Sequence, residues 1–148
     1  MTITHLLPLY ERDINALIQE ISSYRNETDL WSIIGDIKNC PATLGLHIAG
    51  NLKHFIGTQL GKTSYIRNRD KEFAERNVPK AIILKELQEA LVIVQTTLPQ
   101  LSDNDLQKDF PIEFLNQIRP VIEILFILYG HLNYHLGQVN YHRRLLCA

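Results

Sequence analysis

No stretch of this 148-residue chain is apolar for long enough to cross a bilayer. The most apolar run, Val121 to Tyr129, contains Glu123 and falls well short of the roughly 18–20 residues a membrane helix needs. The N-terminus lacks a basic segment followed by an apolar core, and Glu11, Arg12 and Asp13 arrive early, so no export signal is expected. Cysteine is scarce as well. Cys40 and Cys147 are too few and too far apart for a disulfide framework or a thiolate metal knot, which fits a reducing, cytoplasmic setting. Charge of one sign is also missing: 15 Lys+Arg stand against 16 Asp+Glu, a net charge of -1, so a partner held through its phosphate backbone is disfavoured. Neither nucleic acid nor membrane is an expected partner.

What is present is a long apolar periodicity. With 45% hydrophobic and 21% charged residues, the chain can bury roughly two-thirds of its unfolded surface in one domain, residues 1–148. Leu6, Leu7, Tyr10, Ile14, Leu17, Ile18 and Ile21 recur at three- and four-residue steps and predict a first helix over 5–23, with Pro8 in its first turn. A polar stretch, 24–39, follows, with one helical turn expected at its Leu30–Ile34 patch. A second helix is expected from Asn39 or Pro41 to Leu60, stopped by Gly61. Residues 62–77 are charge-dense and read as a surface connection with a turn near Phe73. A third helix is expected from Pro79 to Pro99, then a loop over 100–115, then a fourth helix from about 116–120 to Leu145, with Gly130 and Gly137 as weak points. Four amphipathic helices joined by long connections predict an all-α four-helix bundle.

Six histidines are present, and their spacing carries the chemistry. At about 100° per residue, His131, His135, Gln138 and His142 share one helix face, continuing the apolar stripe of Ile124, Ile127 and Leu128. His47, Asn51, His54 and Thr58 share a face of the second helix. Neutral imidazole is the commonest protein ligand for zinc and related ions. Two histidines at i and i+4 can chelate one ion while a third arrives from a facing helix, leaving an open position for water or a substrate atom. The bland alternative for an i, i+4 pair is a mutually hydrogen-bonded one. His54 and His142 are open between fourth ligand, supporting donor and proton shuttle, and the supporting role is expected. Gln138 and Asn51 would orient the rings or hold substrate. His5 is expected to be a solvated bystander.

The run His131-Leu132-Asn133-Tyr134-His135-Leu136-Gly137-Gln138 resembles the HxxxHxGQ segment on the last helix of the DinB-like (DinB/YfiT) superfamily. Leu46-His47-Ile48-Ala49-Gly50-Asn51-Leu52 resembles the single-histidine segment on its second helix. The resemblance extends over the full length. It implies an up-down-down-up bundle holding one divalent ion on His47, His131 and His135, zinc or nickel first, with iron or manganese as alternatives. It also implies frequent homodimers, for which Ile122, Leu125 and Phe126 are the expected apolar contacts. Characterised members of that superfamily include transferases acting through a low-molecular-weight thiol. Two features depart from the pattern: Phe55 stands where a Trp is common, and the segment Tyr65–Phe73 is not shared with the thiol transferases.

The function expected is a metal-dependent transferase or hydrolase acting on a small molecule, with a low-molecular-weight thiol as one such partner. The alternative is a non-catalytic metal-binding or stress-response bundle. Arg67 and Arg69 are candidates for holding an anionic group of a cosubstrate, against the reading of a solvated loop laced with ion pairs.

Overall fold

The computed structural model describes residues 2–146, and among them the fold is all-helical. Helix α1 spans Thr2–Ser22 and buries Leu6, Tyr10, Ile14, Leu17 and Ile21, the face its spacing predicts. It starts earlier than expected, which places Pro8 in the second turn. The missing N–H leaves the carbonyl of Thr4 without its helical donor, and Thr4 is exposed to solvent. The short helix α2, Glu27–Leu30, plugs the end of the core with buried Leu30.

Helix α3, Pro41–Leu52, begins with proline at its first turn and continues without a break into a π-helical segment, Lys53–Leu60, ended at Gly61. The limits match the sequence pattern, but the wider winding does not follow from it. π-Helical insertions concentrate at functional sites, and this one begins two residues after Asn51. Helix α4, Arg69–Ala74, stands at the turn expected near Phe73, but the segment is not only a surface connection, because its Glu72 is buried against α3. Helix α5 spans Lys80–Thr97 and α6, Asp103–Leu106, is opened by a Ser102–Asp105 capping box.

The 107–120 connection is also more ordered than a loop. Phe110 N–H donates to the Arg119 carbonyl (2.8 Å) and Phe114 N–H to the Gln117 carbonyl (2.8 Å), closing a turn in which Leu115 and Asn116 both have positive φ, 52° and 60°. Helix α7, Val121–Leu146, runs through Gly130 and Gly137 unbroken, both on its exposed side. Cys147 lies outside the described residues.

Side-chain ties give the directions of the four long helices. Tyr10 Oη donates to the Leu125 carbonyl (2.6 Å), Tyr129 Oη to Asp13 (2.6 Å) and Arg143 Nε to Glu20 (2.5 Å), so α1 and α7 ascend together. Gln95 pairs with Glu11 and Lys80 with the Tyr24 carbonyl, so α5 runs against α1. Buried Lys53 donates to Glu86 (2.8 Å) and to Glu89, while Gly45 abuts Ile83 and Gly57 abuts Ile93, so α3 runs with α5 and therefore against α7. The contact of α3 with α7 sets His47 opposite the histidines of α7.

Candidate metal centre

His47 projects from α3, and His131 and His135 project from successive turns of α7 toward it. The His47 and His131 Nε2 atoms are 3.1 Å apart, and the His135 and His131 Nε2 atoms 3.0 Å. One nitrogen from each ring lies within 4.8 Å of the others. Three Nε2 donors around one point, each about 2.0–2.1 Å from it in tetrahedral directions, would be about 3.3 Å apart, close to the spacing seen here.

The remaining ring nitrogens decide what these contacts are. Glu72 Oε2 lies 2.9 Å from His47 Nδ1. Two acceptors would repel at that distance, so Nδ1 carries the hydrogen and donates it. Gln138 Oε1 likewise accepts from His135 Nδ1 at 2.7 Å. In the neutral tautomers so assigned, both Nε2 atoms present lone pairs to His131 Nε2, whose single hydrogen can satisfy only one of them. A cation among the three nitrogens removes the conflict. The donor set therefore fits a metal ion, with the carboxylate and the amide oxygen fixing ring orientation from behind. His131 Nδ1 is buried and has no partner among the described residues.

Glu72 was not expected at the site. Its side chain is 7% exposed and receives both Nε and Nη2 of Arg67, at 2.7 and 2.9 Å. Burial pushes its carboxyl up, but hydrogen bonds from His47 and Arg67 outweigh this and leave it below the usual range. The carboxylate rests directly over Gly50: a Cβ there would stand 2.8 Å from Glu72 Cδ and closer still to Oε1. Phe73, next on α4, packs its ring on the His47 ring at 4.7 Å. A glycine inside an apolar helix, one turn past His47, is the sequence signal for this close approach.

Burial, then the neighbouring His135 and His47 rings and the Arg67 and Arg69 charges, push the His131 imidazole down to about 4. Burial lowers His135 too, against the Gln138 hydrogen bond, which raises it. Both rings are therefore neutral and ligand-competent at pH 7.

The other expected residues are divided. Asn51 is buried and lines the cavity beside His47, and its Oδ1 has no partner among the described residues. His54 sits in the π-helical segment with its ring edge on Phe55 (4.8 Å) and outside the cluster of three. His142 is buried away from the three nitrogens. Its Nδ1 is 2.8 Å from Tyr24 Oη and its Nε2 3.0 Å from the Ser32 carbonyl, so it ties α7 to the segment after α1. Arg67 is held by Glu72 and is no free anion-binding group. Arg69 stacks over Phe73 at 5.3 Å and borders the cavity. His5 is exposed. Cys40, free and buried, contacts Thr43 at the start of α3.

A cavity of about 430 Å³ opens beside His47 and His131, lined also by Arg67 and Arg69 and by Glu113, Phe114 and Leu115 of the 107–120 connection. No described helix is long and apolar enough to cross a membrane. An all-helical domain with an open cluster of three imidazoles is thus the class of protein that the fold and site define.

Residues 8–148 match the family described as "protein of unknown function (DUF1572)". The chain belongs to that family. No curated protein matches it significantly.

Proposed function

We propose that this chain is a DinB-like four-helix bundle of up-down-down-up topology that holds one divalent ion on His47, His131 and His135 and acts as a metal-dependent transferase or hydrolase on a small molecule. The helix directions support the topology: α1 and α7 ascend while α3 and α5 descend. The observation that carries the metal reading is the facing of three Nε2 atoms whose hydrogens cannot satisfy one another, with Glu72 and Gln138 holding two Nδ1 atoms as donors.

Zinc or nickel suits the all-nitrogen donor set best, ahead of iron or manganese. Such an ion, when bound, supplies Lewis acidity at open coordination positions. The chain's own residues orient and exclude. Glu72 and Gln138 fix the ring planes, Arg67 keeps Glu72 in place, and Phe55, Phe114 and Leu115 keep the approach apolar. Cys40 packs at the start of α3 and does not line the cavity, so no thiol among the described residues serves as the nucleophile and a cosubstrate would supply it. The cytoplasm is the compartment that the free thiol fits.

Metal analysis of untagged protein tests the reading. One zinc or nickel per chain is expected, lost in His131→Ala and His47→Ala while circular dichroism stays helical. A wild-type protein that neither retains nor takes up either ion would sink it. The alternative, a metal that serves only the fold, is favoured less because two of the three imidazoles, His47 and His131, line a cavity, as those of an enclosed structural ion would not.

A further inference from the structure

We propose that the cavity beside the three imidazoles binds a small organic monoanion of the carboxylate class with an apolar body, its carboxylate on Arg69 and its body against Phe55, Phe114 and Leu115. The inference deepens the proposed function by naming its substrate class, and its binding arm can be tested without the metal.

Four observations converge. Two guanidinium groups border the cavity, and they are not equivalent. Arg67 is forked onto buried Glu72, whereas Arg69 makes no ion pair among the described residues and is held at the rim by stacking on Phe73. A guanidinium held by an aromatic face and lacking a carboxylate is prepared to accept one.

Asn51 is 6% exposed, lines the same cavity and leaves Oδ1 without a partner among the described residues. Buried amides are nearly always paired, and a polar atom of a bound molecule would complete this one.

Leu115 is 73% exposed at the cavity mouth with φ at 52°. A branched apolar residue in the left-handed region is strained, and strain of this kind gathers at ligand sites. Asparagine or glycine would turn the chain there without strain; leucine instead sets an apolar side chain at the cavity. With Phe55 and Phe114, 5.1 Å apart ring to ring, it makes an apolar wall.

The pairing of charges favours a monoanion. Glu72 matches Arg67, which leaves the Arg69 guanidinium for one carboxylate. Glu113 also lines the cavity and disfavours a second negative charge there, while the apolar lining residues take the ligand's body. The volume, about 430 Å³, lies in the range of small-molecule sites, about 300–1,000 Å³.

The test is calorimetric binding of hexanoate, octanoate, octanamide and octyl phosphate to zinc-loaded and to chelator-treated protein. Octanoate is expected to bind at least tenfold tighter than octanamide, tighter than octyl phosphate, and about fifteenfold tighter than hexanoate at roughly fourfold per methylene for two methylenes. Arg69→Met should abolish the carboxylate-over-amide preference and Arg69→Lys should restore part of it. Leu115→Asn, which suits positive φ, should flatten the chain-length dependence. Equal affinity for octanoate and octanamide, binding of neither, or octyl phosphate as the tightest ligand would overturn the proposal. So would a preference that survives Arg69→Met and vanishes on chelation, because the carboxylate would then sit on the ion. A preference that persists without zinc supports this inference even if the metal reading fails. Zinc bound with no preference refutes this inference and leaves the metal reading standing.

Discussion

Gly50→Ala is the substitution whose effect the geometry works out most fully. In an ordinary helix interior, replacing glycine by alanine stabilises by about 1 kcal/mol. Here the new methyl would stand 2.8 Å from Glu72 Cδ and 3.3 Å from Tyr65 Oη, so Glu72 must leave its place. Two partners are then stranded. His47 Nδ1 loses the acceptor that fixes its tautomer, and loss of such a support typically costs 10–100-fold in metal affinity, or about 1.4–2.7 kcal/mol. Arg67, 10% exposed, loses its carboxylate, and stranding one member of a buried pair costs about 3–5 kcal/mol. The lower end applies to a guanidinium that borders a cavity and can reach water.

A net destabilisation of about 2 kcal/mol is therefore expected for metal-free Gly50→Ala in urea unfolding. Zinc affinity by competition with a chelator should fall at least tenfold, with Glu72→Ala alike and Glu72→Gln milder because its amide oxygen still accepts from Nδ1. The double mutant sharpens the test. Once Glu72 is alanine, Gly50→Ala should turn from destabilising to neutral or stabilising, a coupling that independent sites do not show. A Gly50→Ala protein that binds zinc like wild type and unfolds about 1 kcal/mol later would refute the placement of Glu72 over Gly50.

Two further outcomes are expected. The His131 imidazole titrates near 4 in the fold against about 6.5 unfolded. The unfolded chain therefore binds more protons between those values, and metal-free stability should fall as pH drops from about 6.5 to 4. His131→Gln should flatten that stretch of the curve of unfolding free energy against pH, and an unchanged slope would contradict the burial assigned to the ring. A homodimer is expected from the exposed face of α7, where Phe126 is 55% exposed beside Gly130 and Tyr134, whereas Leu125 is wholly inside and contributes nothing to such a contact. Light scattering at micromolar concentration should give twice the chain mass and Phe126→Lys half of that; a monomeric wild type would refute it.

The sequence by itself determined the helical periods and, through them, which histidines share a face. Both follow from the 3.6-residue repeat, so Leu6 to Ile21 read as a buried face and His131 with His135 as one pair, and the structure places them so. Proline marked the start of α3, and glycine the end of the π-helical segment that continues it, for equally local reasons. The tertiary structure decided everything that depends on what faces what. His142 lies on the same stripe as His131, yet Tyr24 and the Ser32 carbonyl engage both its nitrogens, because the segment that follows α1 packs against that part of α7. Glu72 sat among charges that read as solvated, and only the docking of α4 over the bare Cα of Gly50 buries it beside His47. Arg67 and Arg69, two residues apart and alike in sequence, are separated in role by a carboxylate that reaches one of them. Periodicity sets the face from which a side chain leaves its helix; the partner waiting there is set by packing between segments distant in the chain.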